Sequence, residues 1–128
     1  MSRGLIDTSV FVAFESGRAI NRDLLPDEFA VSIVTLAELQ VGVLTAKNVF
    51  LQGKRMKTYR QALQFNPIEI DQQIADAWAM LRVVLRESGR AVEVNDLWIA
   101  ATAMELQVPL ITQDHAMLGL PNIETILV

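Results

Sequence analysis

No cysteine occurs among the 128 residues. That excludes disulfide frameworks, Cys-ligated zinc, iron–sulfur clusters and thiol nucleophiles. There is one histidine, His115, so two-histidine acid–base pairs and His-rich metal sites are excluded as well. Basic charge is in the minority. Eleven Lys and Arg face fifteen Asp and Glu, giving a net charge of −4. Such a chain is no basic nucleic-acid coat, and any polyanion must be held by a local patch. Long apolar runs are missing too. They reach only five residues, as at Val10–Phe14 and Leu97–Ala101, against about 20 for a membrane span. The N-terminus meets Asp7 before any secretory apolar region forms. These absences predict a soluble, cytoplasmic protein with no membrane contact, a single domain over residues 1–128.

The chain contains more apolar residues than one core obviously needs: 52% against a usual fraction of about 45–50%. Glycine and proline are scattered as punctuation, with no linker and no repeat. Leu5-Ile6 reads as a short buried strand running into a helix at Asp7-Thr8-Ser9, and Phe29-Ala30-Val31 as a second strand. Ser32 is a good N-cap for a helix over Thr35–Ala46, and Val49–Leu63 is a third helix, stopped by Pro67. Ile68-Glu69-Ile70 alternates like a strand. Asp71 can cap the next helix, which carries Ile74, Trp78, Leu81 and Leu85 on one stripe and closes at Gly89. Ala91–Val94 is open between strand and loop, Asn95 or Asp96 starts a helix, and Pro109-Leu110-Ile111 and Ile123–Val128 read as strands. Short apolar strands alternating with longer helices predict an α/β fold around a parallel sheet covered on both faces.

Open α/β sheets bind ligands at the carboxyl ends of their strands. The first strand delivers Asp7 there, and the helix after the second delivers Glu38. The strand at Leu110-Ile111 delivers Thr112 and Asp114, and Asp96 sits at a helix start facing the same kind of edge. Each acid also has a bland reading: Asp7 and Asp96 as helix caps, Asp114 as a turn residue, Glu38 as a solvent-facing helix residue. Four converging carboxylates cannot simply coexist, because two unit charges ~5 Å apart repel by about 3 kcal/mol at an effective dielectric of ~20. Such a cluster takes up protons or binds a cation. Oxygen ligands without His or Cys select Mg²⁺ or Mn²⁺ over zinc. Such an ion can activate water and stabilise a phosphodiester under in-line attack.

Four segments occur in order: Leu5-Ile6-Asp7-Thr8-Ser9-Val10, Ser32–Leu39 with Gly42, Asn95–Ala103, and Leu110-Ile111-Thr112-Gln113-Asp114. Together they resemble the PIN domain and, at this size, the VapC-type toxins of bacterial toxin–antitoxin modules. The resemblance spans essentially the whole chain. It implies a PIN-like α/β/α sandwich with a central, mainly parallel sheet. It also implies a Mg²⁺- or Mn²⁺-dependent ribonuclease that a cognate antitoxin holds inactive, and a homodimer. By motif, Asp7, Glu38, Asp96 and Asp114 would be the acidic, metal-holding cluster, with Ser9 and Thr112 as accessory polar groups.

A carboxylate site repels RNA, so a nuclease needs cations nearby. Between Glu38 and Glu69 there is no acid, and Lys47, Lys54, Arg55, Lys57 and Arg60 place five of eleven basic residues within 14 positions. Arg82, Arg86 and Arg90 recur every four residues, the last beyond Gly89. Each group reads either as an RNA surface or as a solvated helix face. Phe11, Phe14, Val41, Val43, Leu44 and Phe50 read as ordinary core or as a dimer or antitoxin groove. Trp78 and Trp98 read as core, with base stacking the alternative, and His115 as a surface loop residue, with a general-acid role the alternative. A phosphate-binding NTPase is disfavoured because no Gly-rich loop with a following Lys occurs. An aspartyl-phosphate hydrolase normally wants an acid where Ser9 stands. A non-catalytic binding module, its acids merely capping helices, stays open.

Overall fold

The computed structural model describes residues 1–128 throughout. In chain order the elements are β1 (Arg3–Ile6), α1 (Thr8–Ser16), β2 (Glu28–Ala30), α2 (Ile33–Leu44), α3 (Val49–Leu63), α4 (Gln72–Glu87), α5 (Val94–Leu106), β3 (Leu110–Thr112) and β4 (Thr125–Leu127). Short 3-10 turns occupy Arg22–Leu24 and His115–Met117. All strand pairs are parallel, in the order β2-β1-β3-β4. Successive strand residues face opposite sides of a sheet, and the central strands are apolar on both. Leu5 and Leu110, paired in register, join one core with Ile74, Leu81 and Leu97 from α4 and α5. The next pair, Ile6 and Ile111, joins a second core with Val10, Leu39 and Ala62 from α1, α2 and α3. Strands buried on both faces require a helical layer on each. The result is the expected α/β/α sandwich.

The chain runs from β1 to β2 on one side, then crosses through four helices to β3 on the other side of β1. The reversal falls between β1 and β3, the point at which open α/β sheets form their ligand crevice, beyond the carboxyl ends of the strands. Asp7 directly follows β1, and Thr112 is the last residue of β3.

Helix starts follow the capping chemistry. The Ser32 hydroxyl accepts from the Val34 N–H at 3.1 Å, so α2 begins at Ile33, two residues before the expected Thr35. Asp71 accepts from the Ile74 N–H at 2.9 Å, and α4 ends where Gly89 takes φ +71°. The strand expected at Ile68–Ile70 shrinks to one bridge between Ser32 and Ile68. Asp71 already caps α4 there, so no length remains for a ladder. Ala91–Glu93 is non-regular, and α5 starts at Val94 with Glu93 as its cap, ahead of the expected Asn95 or Asp96. Trp78 and Trp98 stack between α4 and α5 with centroids 4.8 Å apart and pack against the core, as expected of core residues.

Candidate active site

Asp7 occupies the N-cap position of α1, yet its side chain makes no capping hydrogen bond. It is 3% exposed. Its Oδ2 accepts from the Ser9 hydroxyl at 2.6 Å and the Thr112 hydroxyl at 2.8 Å. Each hydroxyl spends its single proton on Asp7 and accepts in turn from the loop after β3: Ser9 from the Gln113 N–H at 2.9 Å, Thr112 from the Asp114 N–H at 3.0 Å. Both proton directions are therefore fixed, and β1, α1 and β3 are locked around one carboxylate. The other oxygen, Oδ1, is buried and has no partner. A buried carboxylate with an unsatisfied oxygen is costly unless something else satisfies it.

Glu38 is half-buried on α2, and its Oε1 accepts from the Thr8 hydroxyl at 2.7 Å. That hydroxyl lies 2.9 Å from the hydroxyl of buried Thr35. Asp96 stands in the first turn of α5, but the capping is done by Glu93, whose Oε2 accepts from the Asn95 N–H at 3.0 Å and the Asp96 N–H at 3.2 Å. The Asp96 carboxylate is therefore free of capping duty. Burial, and then the charges of Asp7, Glu93, Glu38 and Asp114, raise its pKa from the ordinary 3.8 to about 7. Asp114 behaves as a turn residue, its Oδ1 accepting from the Ala116 N–H at 2.9 Å. The four acids thus share the crevice electrostatically. No three of them are placed so as to hold one ion together, and one oxygen each of Glu38 and Asp114 accepts from a local donor.

Residues 4–121 match the PIN domain. Ribonuclease VapC5 of Mycobacterium tuberculosis is 45% identical over 126 residues, covering 96% of this chain and 93% of its own. Ribonuclease VapC4 of the same organism is 40% identical over 124 residues, covering 97% and 95%. The chain belongs to the PIN domain family. A crystal structure of VapBC-5, a member of the VapBC family of toxin–antitoxin systems from M. tuberculosis, superposes with a TM-score of 0.90 at 41% identity. It covers 100% of both chains.

The remaining expected residues lie outside the crevice network of this PIN domain. Lys47, Lys54, Lys57 and Arg60 are exposed on or just before α3, and Arg82 and Arg86 are exposed on α4. Two arginines are committed to the fold instead. Arg55 donates Nη1–H to the Gly42 carbonyl at 2.7 Å, tying α3 to α2. Arg90 donates to the carbonyls of Ala116, Leu118 and Gly119, which removes it from the proposed arginine surface. His115 opens the short turn after Asp114 and is exposed. Of the apolar excess, Phe11 and Val43 are buried, whereas Phe14, Val41, Leu44 and Phe50 are exposed. A cleft of about 540 Å³ runs between α1 and α3, lined by Phe11, Phe14, Phe65 and the lysines Lys54 and Lys57. Sequence reading missed Thr8, Thr35 and Glu93. The first two had a usable signal. Thr35 lies one helical turn before Glu38 and so shares its face, and Thr8 directly follows Asp7.

Proposed function

We propose that this PIN domain is the ribonuclease toxin of a toxin–antitoxin module. In this reading it cleaves RNA phosphodiester bonds with Mg²⁺ or Mn²⁺ bound at Asp7, and Glu38, Asp96 and Asp114, not grouped around one point here, would close on the ion as it binds. The carrying observation is Asp7, a buried carboxylate with one oxygen fixed by two hydroxyls and the other without a partner. The donor set fits a hard divalent ion, being all carboxylate and hydroxyl oxygen with no Cys and a single His outside it. When bound, such an ion supplies a water of lowered pKa and stabilises developing charge on the phosphate. The chain's own residues do the rest. Ser9 and Thr112 orient Asp7, Thr8 orients Glu38, and Asp96 holds a proton near neutrality until a cation offsets the surrounding negative charge. The exposed lysines of the α3 region would hold the RNA backbone with Arg60 beside them, and Arg82 and Arg86 on α4 would offer a second surface on the other helical layer.

The ribonuclease names of the relatives support the activity, and the toxin–antitoxin neighbour supports a cognate antitoxin. The apolar cleft and, apart from it, Phe50 and Leu44, 83% and 71% exposed, leave surface for an antitoxin and for a second copy in a homodimer. RNA cleavage by the purified full chain with Mn²⁺ tests the reading. Asp96→Asn keeps the shape and removes a charge, so cleavage should fall at least about a hundredfold while circular dichroism is unchanged. A folded Asp96→Asn protein that cuts at the wild-type rate overturns the site.

A further inference from the structure

Arg90 is the arginine that the sequence grouped with Arg82 and Arg86, and the fold uses it differently. α4 ends in a Schellman motif: the Gly89 N–H donates to Arg86 O at 3.1 Å and the Arg90 N–H to Leu85 O at 2.9 Å. The backbone of Arg90 is thereby fixed relative to α4. Its guanidinium then spans 26 to 29 residues of sequence to three successive-turn carbonyls: Ala116 at 2.7 Å, Leu118 at 2.6 Å and Gly119 at 3.1 Å. It has no carboxylate partner.

These carbonyls belong to the loop that begins at Asp114. At its start the loop is held by the Thr112 hydroxyl, which accepts from the Asp114 N–H. Further on, Met117 and Leu120 are buried in the α4/α5 core. Apolar burial is non-directional, so it anchors the loop without setting its orientation. A planar guanidinium fork donating to three carbonyls does set it, in a way that a lysine ammonium does not reproduce. On the other side, Arg90 stands three residues before Glu93, the cap of α5, and six before Asp96. One side chain therefore joins the segment that launches Asp96 to the segment that carries Asp114.

We propose that Arg90 is a positioning residue that fixes the Asp114 loop against the α4–α5 turn and so sets the placement of Asp114 relative to Asp96 for metal binding. This rests on the metal-site reading given under Proposed function. The amides of Ala116, Met117 and Leu118 are bonded within this loop, to Asp114 Oδ1, Asp114 O and His115 O, and so report on it directly.

The test uses the full chain with Arg90→Gln, Asp114→Asn and the double variant, with Arg90→Lys as the second probe should Arg90→Gln fail to fold. Hydrogen exchange at residues 116–118 should accelerate at least about tenfold in either Arg90 variant. Mn²⁺ affinity, read by electron paramagnetic resonance of free Mn²⁺, should fall about 10-fold or more on removing Arg90. In the Asp114→Asn background the same removal should change it less than about twofold, because the effect runs through Asp114. Unchanged loop exchange overturns the proposal whatever the metal does. Wild-type Mn²⁺ affinity in Arg90→Gln, with weakened affinity in Asp114→Asn, overturns the tether and leaves the site standing. Wild-type affinity in Asp114→Asn removes Asp114 from the metal site, and the proposal falls with it.

Discussion

Half-buried in the first turn of α5, Asp96 loses solvent and then meets the charges of Asp7, Glu93, Glu38 and Asp114, which together lift its pKa to about 7. The folded protein therefore holds a proton that the unfolded chain releases near 3.8. The stabilising contribution is fully present below the unfolded value and is lost as pH rises through the folded one. Metal-free protein should lose stability between about pH 4 and pH 7 on this account. Asp96→Asn cannot ionise, so its melting temperature should gain on wild type as pH rises across that window, and saturating Mn²⁺ should stabilise wild type more. At this size each kcal/mol moves the melting temperature by about 4 °C, so the divergence is measurable. A temperature gap that stays constant from acid to neutral pH would show that Asp96 does not feel the crowding. The same residue shows what a sequence can and cannot say about an acid. Asn95 and Asp96 are favoured N-cap types, and nothing in their spacing reveals that Glu93 takes the capping bonds and frees Asp96.

The elements legible in advance were those with both an apolar stripe and a stop signal. Val49–Leu63 was expected and found with those bounds, and Asp71 and Gly89 frame α4 by side-chain cap and left-handed turn. The short strands were legible as apolar pairs, because β1 and β3 bury consecutive residues on opposite faces. Ile68–Ile70 had a strand's alternation without a partner to pair along it, and pairing is a property of the fold rather than of the segment. The close approach at Gly4 was likewise invisible. A Cβ there would lie 2.8 Å from Ile111 Cγ1 and 3.0 Å from Pro26 Cγ, so β1 sits against β3 and the β2 approach only because the side chain is missing. Gly4→Ala should destabilise by about 1–3 kcal/mol through overpacking. Urea unfolding would show a lower midpoint at unchanged slope. A midpoint equal to wild type would mean that Ile111 moves aside freely.

Across the whole molecule, a net charge of −4 coexists with an acidic crevice and an acid-free stretch from Leu39 to Ile68 that carries five cations. Overall charge repels RNA, so on the proposed ribonuclease reading binding is expected to depend on that stretch and to be sensitive to salt. The structure sorts its members. Lys47, Lys54 and Lys57 are exposed and free of ion pairs, whereas Arg55 spends its guanidinium on the Gly42 carbonyl. For single-stranded RNA, every phosphate left without its lysine should reduce the slope of log K against log salt by about 0.7. Changing Lys47, Lys54 and Lys57 together to Gln should therefore flatten the slope by up to about 2, with the melting temperature unchanged. Arg55→Gln should do the opposite, lowering the melting temperature by loosening α2 from α3 while leaving the slope near wild type. Both are measured with a short single-stranded RNA in the Asp96→Asn background, where cleavage does not interfere. An unchanged slope in the triple lysine variant would return α3 to a solvated face and move the RNA path toward Arg82 and Arg86, exposed on the opposite helical layer.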